Sequence, residues 1–297
     1  MISVLIPIYN FNVTKLVTEI HSQLSLLNID FEIICIDDTS TIVFAENDAV
    51  QHLKNVIYIK LEKNIGRSKI RNLLASKAKY NWLLFLDVDV FPKEQIFIEN
   101  YIKYINLNVE KVFIGGLVYE NKKPAKEKLL RWVYGKKREE VALSERRKQP
   151  YKYFFGGNFL IEKAVFNSIK FNEFINQYGY EDVLFSANLK QHSINVFQIE
   201  NPVIHLGIET TENYLINIKH SIKNLHNLQE KELLKDIKIL KVYSIIKKIK
   251  ATFIFGKFYL IFKKQLEYLL KSNHPKLFVL DFYKLSYLCY LKNINLD

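Results

Sequence analysis

Residues 81–92 read NWLLFLDVDVFP. Trp82–Leu86 is an unbroken apolar run, the pattern of a strand buried on both faces, yet Asp87 and Asp89 follow it at once. Carboxylates at the end of a buried strand are costly unless they are paired, hydrogen-bonded or bound to a metal. Two hard-anion side chains at i and i+2 suit a divalent cation that also ligates phosphate oxygens. Mg2+ or Mn2+ takes one or two protein carboxylates and fills its shell from water and substrate. The D-x-D pattern alone is weak, because caps and turns also use Asp. The apolar run strengthens it by setting the pair at the carboxyl edge of a sheet.

Working back from this strand, Ile2–Ile8 (ISVLIPI), Phe31–Asp37 (FEIICID) and Val56–Leu61 (VIYIKL) read as further strands. Helices are expected over 13–27, with Val13, Leu16, Val17, Ile20, Leu24 and Leu27 on one face, and over Arg67–Ala78. This alternation predicts an α/β fold: a mainly parallel sheet flanked by helices. Further on, 112–118 and 153–161 read as strands around a basic insert, 119–152, with a helical piece at 129–134. Glu181–Lys190 reads as a helix, and 196–199 and 203–206 as short strands. From about 210 the pattern is helical, with Val242, Ile245, Ile246, Ile249 and Phe253 as one stripe. The expected domains are 1–208, containing the insert, and a helical C-terminal region, 209–297.

Of 297 residues, 49% are hydrophobic and 25% charged, with only 9 Gly and 6 Pro, which argues for a real core and against long linkers. Cys35 and Cys289 form no metal or redox motif and read as buried thiols. No basic leader precedes the first strand and no apolar run is long enough to span a bilayer, so a cytoplasmic protein is expected. The net charge of +12 is concentrated. Residues 122–152 carry 12 Lys/Arg against 4 Asp/Glu, and 210–297 carry 16 Lys against 7 acids, while the remainder is net acidic. Such clusters suit an anionic membrane surface or nucleic acid, or are simply a solvated face. Nucleic acid is the weaker choice, since aromatic and basic residues are not interleaved on a recognisable module.

Open α/β sheets bind ligands at the carboxyl ends of their strands. The first strand ends in Pro7-Ile8-Tyr9-Asn10, without G-x-G-x-x-G, and no P-loop occurs, which argues against dinucleotide dehydrogenases and P-loop enzymes. Four successive strand ends are polar: Tyr9 and Asn10, Asp37 and Asp38, Asn64 with Gly66 and Arg67, then Asp87 and Asp89. Together they point to one shared ligand site.

At these residues the sequence resembles the family 2 glycosyltransferases of GT-A fold. The matching stretches are ISVLIPIYN at the start, ICIDDTS at 34–40, NIGRSKIRN at 64–72, LFLDVDVF at 84–91, FGGNFLI at 155–161, GYEDVLF at 179–185 and VIHLG at 203–207. They run through residues 1–208; the C-terminal third carries no motif that can be placed. The resemblance implies a nucleotide-sugar donor, usually UDP-linked, with Pro7, Tyr9, Asn10 and Asp38 forming the base-and-ribose pocket. Asn64, Gly66 and Arg67 would close over it, and Arg71 would help order the acidic site. Asp89 would ligate Mn2+ or Mg2+, with Asp87 nearer the ribose, and Gly156 and Gly157 would let backbone approach the donor. His205 matches a position that supplies a further metal ligand in some relatives, although a lone His on a short strand is more often structural. Asp182 would be the general base, with Glu181 orienting the acceptor, giving inversion at the anomeric carbon.

The implied acceptor is a glycan or lipid-linked saccharide in bacterial polysaccharide building. The basic insert is a candidate contact for an anionic acceptor or a membrane face. The Lys-rich C-terminal helices either hold the enzyme on the inner face of the membrane or simply pack on the catalytic domain or a second copy. Two rivals remain: a metal-dependent phosphohydrolase of the haloacid dehalogenase type, and a non-catalytic sugar-nucleotide-binding protein.

Overall fold

The computed structural model describes residues 1–174, 179–228, 234 and 237–294. Among the described residues the strands are β1 (Ile2–Ile8), β2 (Phe31–Asp37), β3 (Val56–Lys60), β4 (Trp82–Leu86), β5 (Val90–Pro92), β6 (Val112–Ile114), β7 (Leu117–Val118), β8 (Asn158–Glu162), β9 (Phe197–Gln198) and β10 (Val203–His205). The helices are α1 (Thr14–Ser25), α2 (Arg67–Lys77), α3 (Phe97–Leu107), α4 (Leu129–Tyr134), α5 (Leu143–Lys148), α6 (Lys163–Ile169), α7 (Glu181–Gln191), α8 (Thr211–Leu228), α9 (Lys238–Lys248), α10 (Thr252–Leu270) and α11 (Leu277–Ile294). A seven-stranded sheet runs β3-β2-β1-β4-β8-β6-β9, and a three-stranded one β5-β10-β7. β1 to β4 are mutually parallel, and β8 alone runs against its neighbours β4 and β6. The mainly parallel α/β sheet is as expected.

The chain forms two compact units. One comprises the described residues of Met1–Tyr119, Glu139–Asn176 and Glu181–Gly207; the other those of Glu120–Arg138, Gln177–Tyr180 and Ile208–Asp297. In the first unit every side chain of β2 is buried, as its apolar run predicts for a strand covered on both faces. A cluster of phenylalanines packs beneath β4 and β8: Phe85 stacks on Phe159 at 4.7 Å, and Phe171 on Phe185 at 4.3 Å. Phe185 belongs to α7, so this aromatic core fixes the helix whose first residues are Glu181 and Asp182. Asn158, which opens β8, is fully buried with its amide satisfied. It donates to the carbonyls of Gly116 and Asn201 and accepts from the Tyr101 hydroxyl.

Some sequence expectations need correction. The run 112–118 is not one strand: it breaks at Gly115–Gly116, and its halves pair in different sheets. The strand expected over 153–161 begins only at Asn158. α3, which the sequence reading missed, buries Phe97, Ile98 and Tyr101. The stripe from Val242 to Phe253 does not lie on one helix. α9 ends at Lys248, Lys250 takes a positive φ of 56°, and Ile245, Ile249 and Phe253 are exposed, while Leu240, Tyr243 and Ile246 are buried. Of the helical region expected after 210, residues 229–233, 235–236 and 295–297 lie outside the described ones.

In the second unit, α10 and α11 pack through Tyr259, Tyr283 and Tyr287, with Glu267 accepting from Tyr283 (2.7 Å) and Lys219 (3.1 Å). The early part of the basic insert belongs here. Arg131 lies over the Tyr214 ring and Arg138 pairs with Asp281 at 2.8 Å. The insert's other arginines serve the first unit, where Arg146 donates to Gln198 and the Ile199 carbonyl, and Arg147 to the Gln198 carbonyl. All four guanidiniums of the insert are thus committed to packing, and its remaining positive charge resides on lysines.

Removing the Phe185 ring tests the coupling of core to α7. Phe185→Ala is expected to lower unfolding free energy by about 3–5 kcal/mol, read by urea denaturation.

Candidate active site

The carboxyl ends of β1, β2 and β4 converge with the turn before β8 and the start of α7. At the β1 end, Asn10 adopts a left-handed conformation (φ 52°), which Asn tolerates better than most residues. Its side-chain oxygen accepts from the backbone N–H groups of Thr41 (2.7 Å) and Ile42 (2.9 Å), while its own N–H donates to Ser40. Pro7 pairs with Ile36 one position before the β1–β2 ladder ends at Ile8 and Asp37, and Tyr9, the residue after Ile8, is exposed. Asp38 is buried, and its two carboxylate oxygens accept from Ile65 N–H (2.7 Å) and Gly66 N–H (2.9 Å). Asn64 donates to the Asp38 carbonyl at 2.8 Å. The structure therefore joins Asp38, Asn64 and Gly66, with Asp38 tying down the loop that leads into α2.

α2 carries Arg67 and Arg71 one turn apart. Arg71 is only 1% exposed; it donates to Asp87 Oδ1 at 2.6 Å and lies 3.9 Å from Glu181 Oε1. Arg67 pairs with Glu181 Oε1 at 2.8 Å and stands 3.5 Å from Asp87 Oδ2. Two guanidiniums thus meet two carboxylates contributed by β4 and α7. Burial alone would raise the proton affinity of Asp87, but Arg71 and Arg67 outweigh it and hold the carboxyl below the usual range. Asp87 is ionised at neutral pH. Glu181, buried and held by both arginines, ties α7 to α2.

Asp182, the next residue, has a different environment. Its Oδ2 accepts from Gly156 N–H at 3.2 Å, while Oδ1 is buried with no hydrogen-bond partner among the described residues. Burial, then the neighbouring Glu181 charge, pushes its pKa up to about 6. Gly156 and Gly157 make room for this arrangement. A Cβ on Gly156 would lie 2.3 Å from Asp182 Oδ1, and one on Gly157 would lie 2.7 Å from Asp87 Oδ2. The backbone at Gly157 also receives the Asp87 N–H at 3.1 Å.

Asp89 lies past the end of β4, and its carbonyl accepts from Leu206 N–H (2.8 Å) and Gly207 N–H (3.3 Å). His205, at the end of β10, sets its Nε2 3.5 Å from Asp89 Oδ2. The imidazole stacks on Tyr119 at 5.3 Å, and the Tyr119 hydroxyl in turn donates to Glu139. A Cβ on Gly207 would meet Asp89 Oδ2 at 2.2 Å, so this glycine also clears space for a carboxylate. Among the described residues no group of three or more His, Cys, Asp or Glu could hold a metal ion. The Asp89–His205 pair nevertheless fits a cation whose shell is completed by diphosphate oxygens and water, the usual manner of Mg2+ and Mn2+.

The sequence reading missed Tyr119, Gly207 and the pairing of Arg67 with Glu181. Gly207 carried a signal, since it closes the VIHLG stretch; Tyr119 carried none, because its stacking on His205 spans distant strands.

Comparisons with known proteins agree with this fold. Residues 3–170 match the family described as Glycosyl transferase family 2. Similar solved structures include Staphylococcus aureus TarS 1-349 in complex with UDP-GlcNAc, at 17% identity and TM-score 0.51, covering 98% of this chain and 92% of that one. Another is the mannosyltransferase PcManGT from Pyrobaculum calidifontis in complex with GDP-Man and Mn2+, at 11% identity and TM-score 0.57, covering 99% and 86%. No curated protein sequence matches.

Unequal burial of the two arginines sets an expectation. Arg71→Gln leaves Asp87 and Glu181 short of a buried partner and costs about 3–5 kcal/mol, whereas Arg67→Gln, at a half-exposed position, costs about 1 kcal/mol or less. Chemical denaturation of the two variants measures the difference.

Proposed function

Since the chain belongs to glycosyl transferase family 2, we propose that it moves a sugar from a nucleotide-diphosphate donor to a hydroxyl of a glycan or lipid-linked saccharide, with inversion at the anomeric carbon. The observation that carries the reading is the contrast between two buried acids beside Gly156–Gly157. Asp87 is held ionised by arginines, and Asp182 is left with an unpartnered oxygen and a raised proton affinity. Neighbouring titratable groups pushed in opposite directions divide electrostatic work from proton transfer.

In this mechanism Asp182 Oδ1 takes the proton of the acceptor hydroxyl as that oxygen attacks the anomeric carbon and the bond to the diphosphate breaks. Glu181 positions Asp182 through the arginines of α2. Tyr9, Asn10, Asp38 and the 64–67 loop line the nucleotide's side of the site, with Asp87 toward the ribose. Asp89 and His205 would hold Mn2+ or Mg2+, which when bound supplies Lewis-acid neutralisation of the departing diphosphate. UDP-GlcNAc and GDP-Man complexes among similar folds support a nucleotide-linked donor; uridine is the base that the family resemblance implies. The family match argues against a dehalogenase-like phosphohydrolase. Bacterial polysaccharide building, at the inner face of a membrane met by peripheral contact, is the setting this acceptor class implies.

Nucleoside-diphosphate release, assayed across UDP- and GDP-sugars with glycan and lipid-linked acceptors, tests the reading. Release is expected to depend on Mn2+ or Mg2+; release unaffected by chelation, or none with any pair, contradicts it. The base must be ionised to act, so the rate is expected to rise with pH through about 6 and level off above it. A rate that falls over that interval contradicts Asp182 as base.

A further inference from the structure

α10 buries one face, Gly256, Tyr259, Leu266 and Leu270, against the other helices of its unit. The opposite face is mostly apolar as well. Ile254, Ile261 and Tyr268 recur every seven residues and are 68%, 65% and 77% exposed, and Phe253, Leu260 and Leu269 flank them in the open. Lys257, Lys264 and Lys271 form a second column with the same spacing, displaced three residues toward the C-terminus. The Lys257 ammonium lies 4.5 Å over the Phe253 ring, its stem covering apolar surface. The apolar rim extends along the chain into the last turns of α9 and the turn after it, where Ile245 and Ile249 are exposed beside Lys247, Lys248 and Lys250. A solvated helix face has no need of so many branched and aromatic side chains.

Charge selects what covers this face. From 238 to 271 the sequence holds nine lysines and one carboxylate, Glu267. The acids of α8, α10 and α11 are all engaged inside the unit: Glu212 with Lys271, Glu267 with Lys219 and Tyr283, Asp281 with Arg138. The outer face of α10 itself offers no carboxylate. A second copy docked symmetrically would set lysine column near lysine column with no acid between them. Among the described residues no helix is long and apolar enough to cross a membrane, so the face suits lying on a bilayer rather than spanning it.

We infer that the outer face of α10, with the turn before it, is a membrane-binding surface for anionic lipid. Ile254, Ile261 and Tyr268 enter the acyl boundary, and Lys257 and Lys264 meet the headgroup phosphates. This deepens the membrane contact in the proposed function by assigning it to one helix rather than to the basic insert. It does not depend on the transfer chemistry. Held this way, the enzyme would work where a lipid-linked acceptor is confined to two dimensions.

Flotation of the full chain with phosphatidylglycerol-containing and pure phosphatidylcholine vesicles tests the inference. The protein is expected to float with the anionic vesicles only, and to be released by raised salt. Ile254→Glu with Ile261→Glu is expected to leave it unbound, and Lys257→Gln with Lys264→Gln to weaken partitioning ~30-fold. Lys122→Gln with Lys123→Gln in the insert is expected to change it less than about threefold. These side chains are exposed, and an unchanged thermal melt shows that each variant is folded. Failure to float, equal floating on neutral vesicles, or release by the insert variant alone overturns the inference. So does a dimer in sedimentation velocity that Ile254→Glu with Ile261→Glu dissociates. Nucleotide-sugar binding measured on the same samples separates the two readings. Binding without flotation removes this one only, and flotation without binding removes the donor reading only.

Discussion

Arg71 sits at 1% exposure with its guanidinium between Asp87 at the end of β4 and Glu181 at the start of α7. A buried cation there would be prohibitive without both carboxylates, and each carboxylate would be prohibitive without it. Arg67 completes the group from the half-exposed side. The consequence is geometric: the sheet edge and α7 are held at one separation. Asp182, which follows Glu181 directly, thereby comes beside Gly156 rather than pairing with a cation of its own. The same network sets the electrostatics, since the positive charges are used up on Asp87 and Glu181 before they can fully offset the desolvation of Asp182.

The glycines of the site serve the carboxylates. At Gly156 and Gly207 the space of an absent Cβ is filled by Asp182 and Asp89, and at Gly157 by Asp87 together with the Phe155 ring. Each acid can therefore be pressed against backbone, where a side chain of any size would displace it. Below them the phenylalanine cluster and the Asn158 hydrogen bonds make the supporting turn rigid, so the positions are set by packing before any ligand arrives.

Much of this architecture was legible in the sequence because the central strands are continuous apolar runs ended by polar residues. β1, β2 and β4 begin and end where their patterns predict. The reading failed where short elements depend on partners distant in sequence. Val112–Val118 is apolar throughout, yet Gly115–Gly116 lets it change sheets, and α3 is rich in aromatic and Asn residues of modest helix propensity. On α9 and α10 the helical spacing of apolar residues was real, but periodicity does not say which of two apolar faces is buried. At the site, the motifs named the acids without their pairings. Glu181 is a case in point: its contacts with Arg67 and Arg71 are not announced by any motif.

The central claim is that donor binding and proton transfer belong to different acids, and calorimetric titration of Asp182→Asn with the released nucleoside diphosphate and Mn2+ tests it most directly. The account predicts affinity within about twofold of the parent protein, alongside turnover reduced ~10²–10⁴-fold, the usual worth of a positioned general base. Affinity that falls in step with turnover would contradict it and move Asp182 into the donor site.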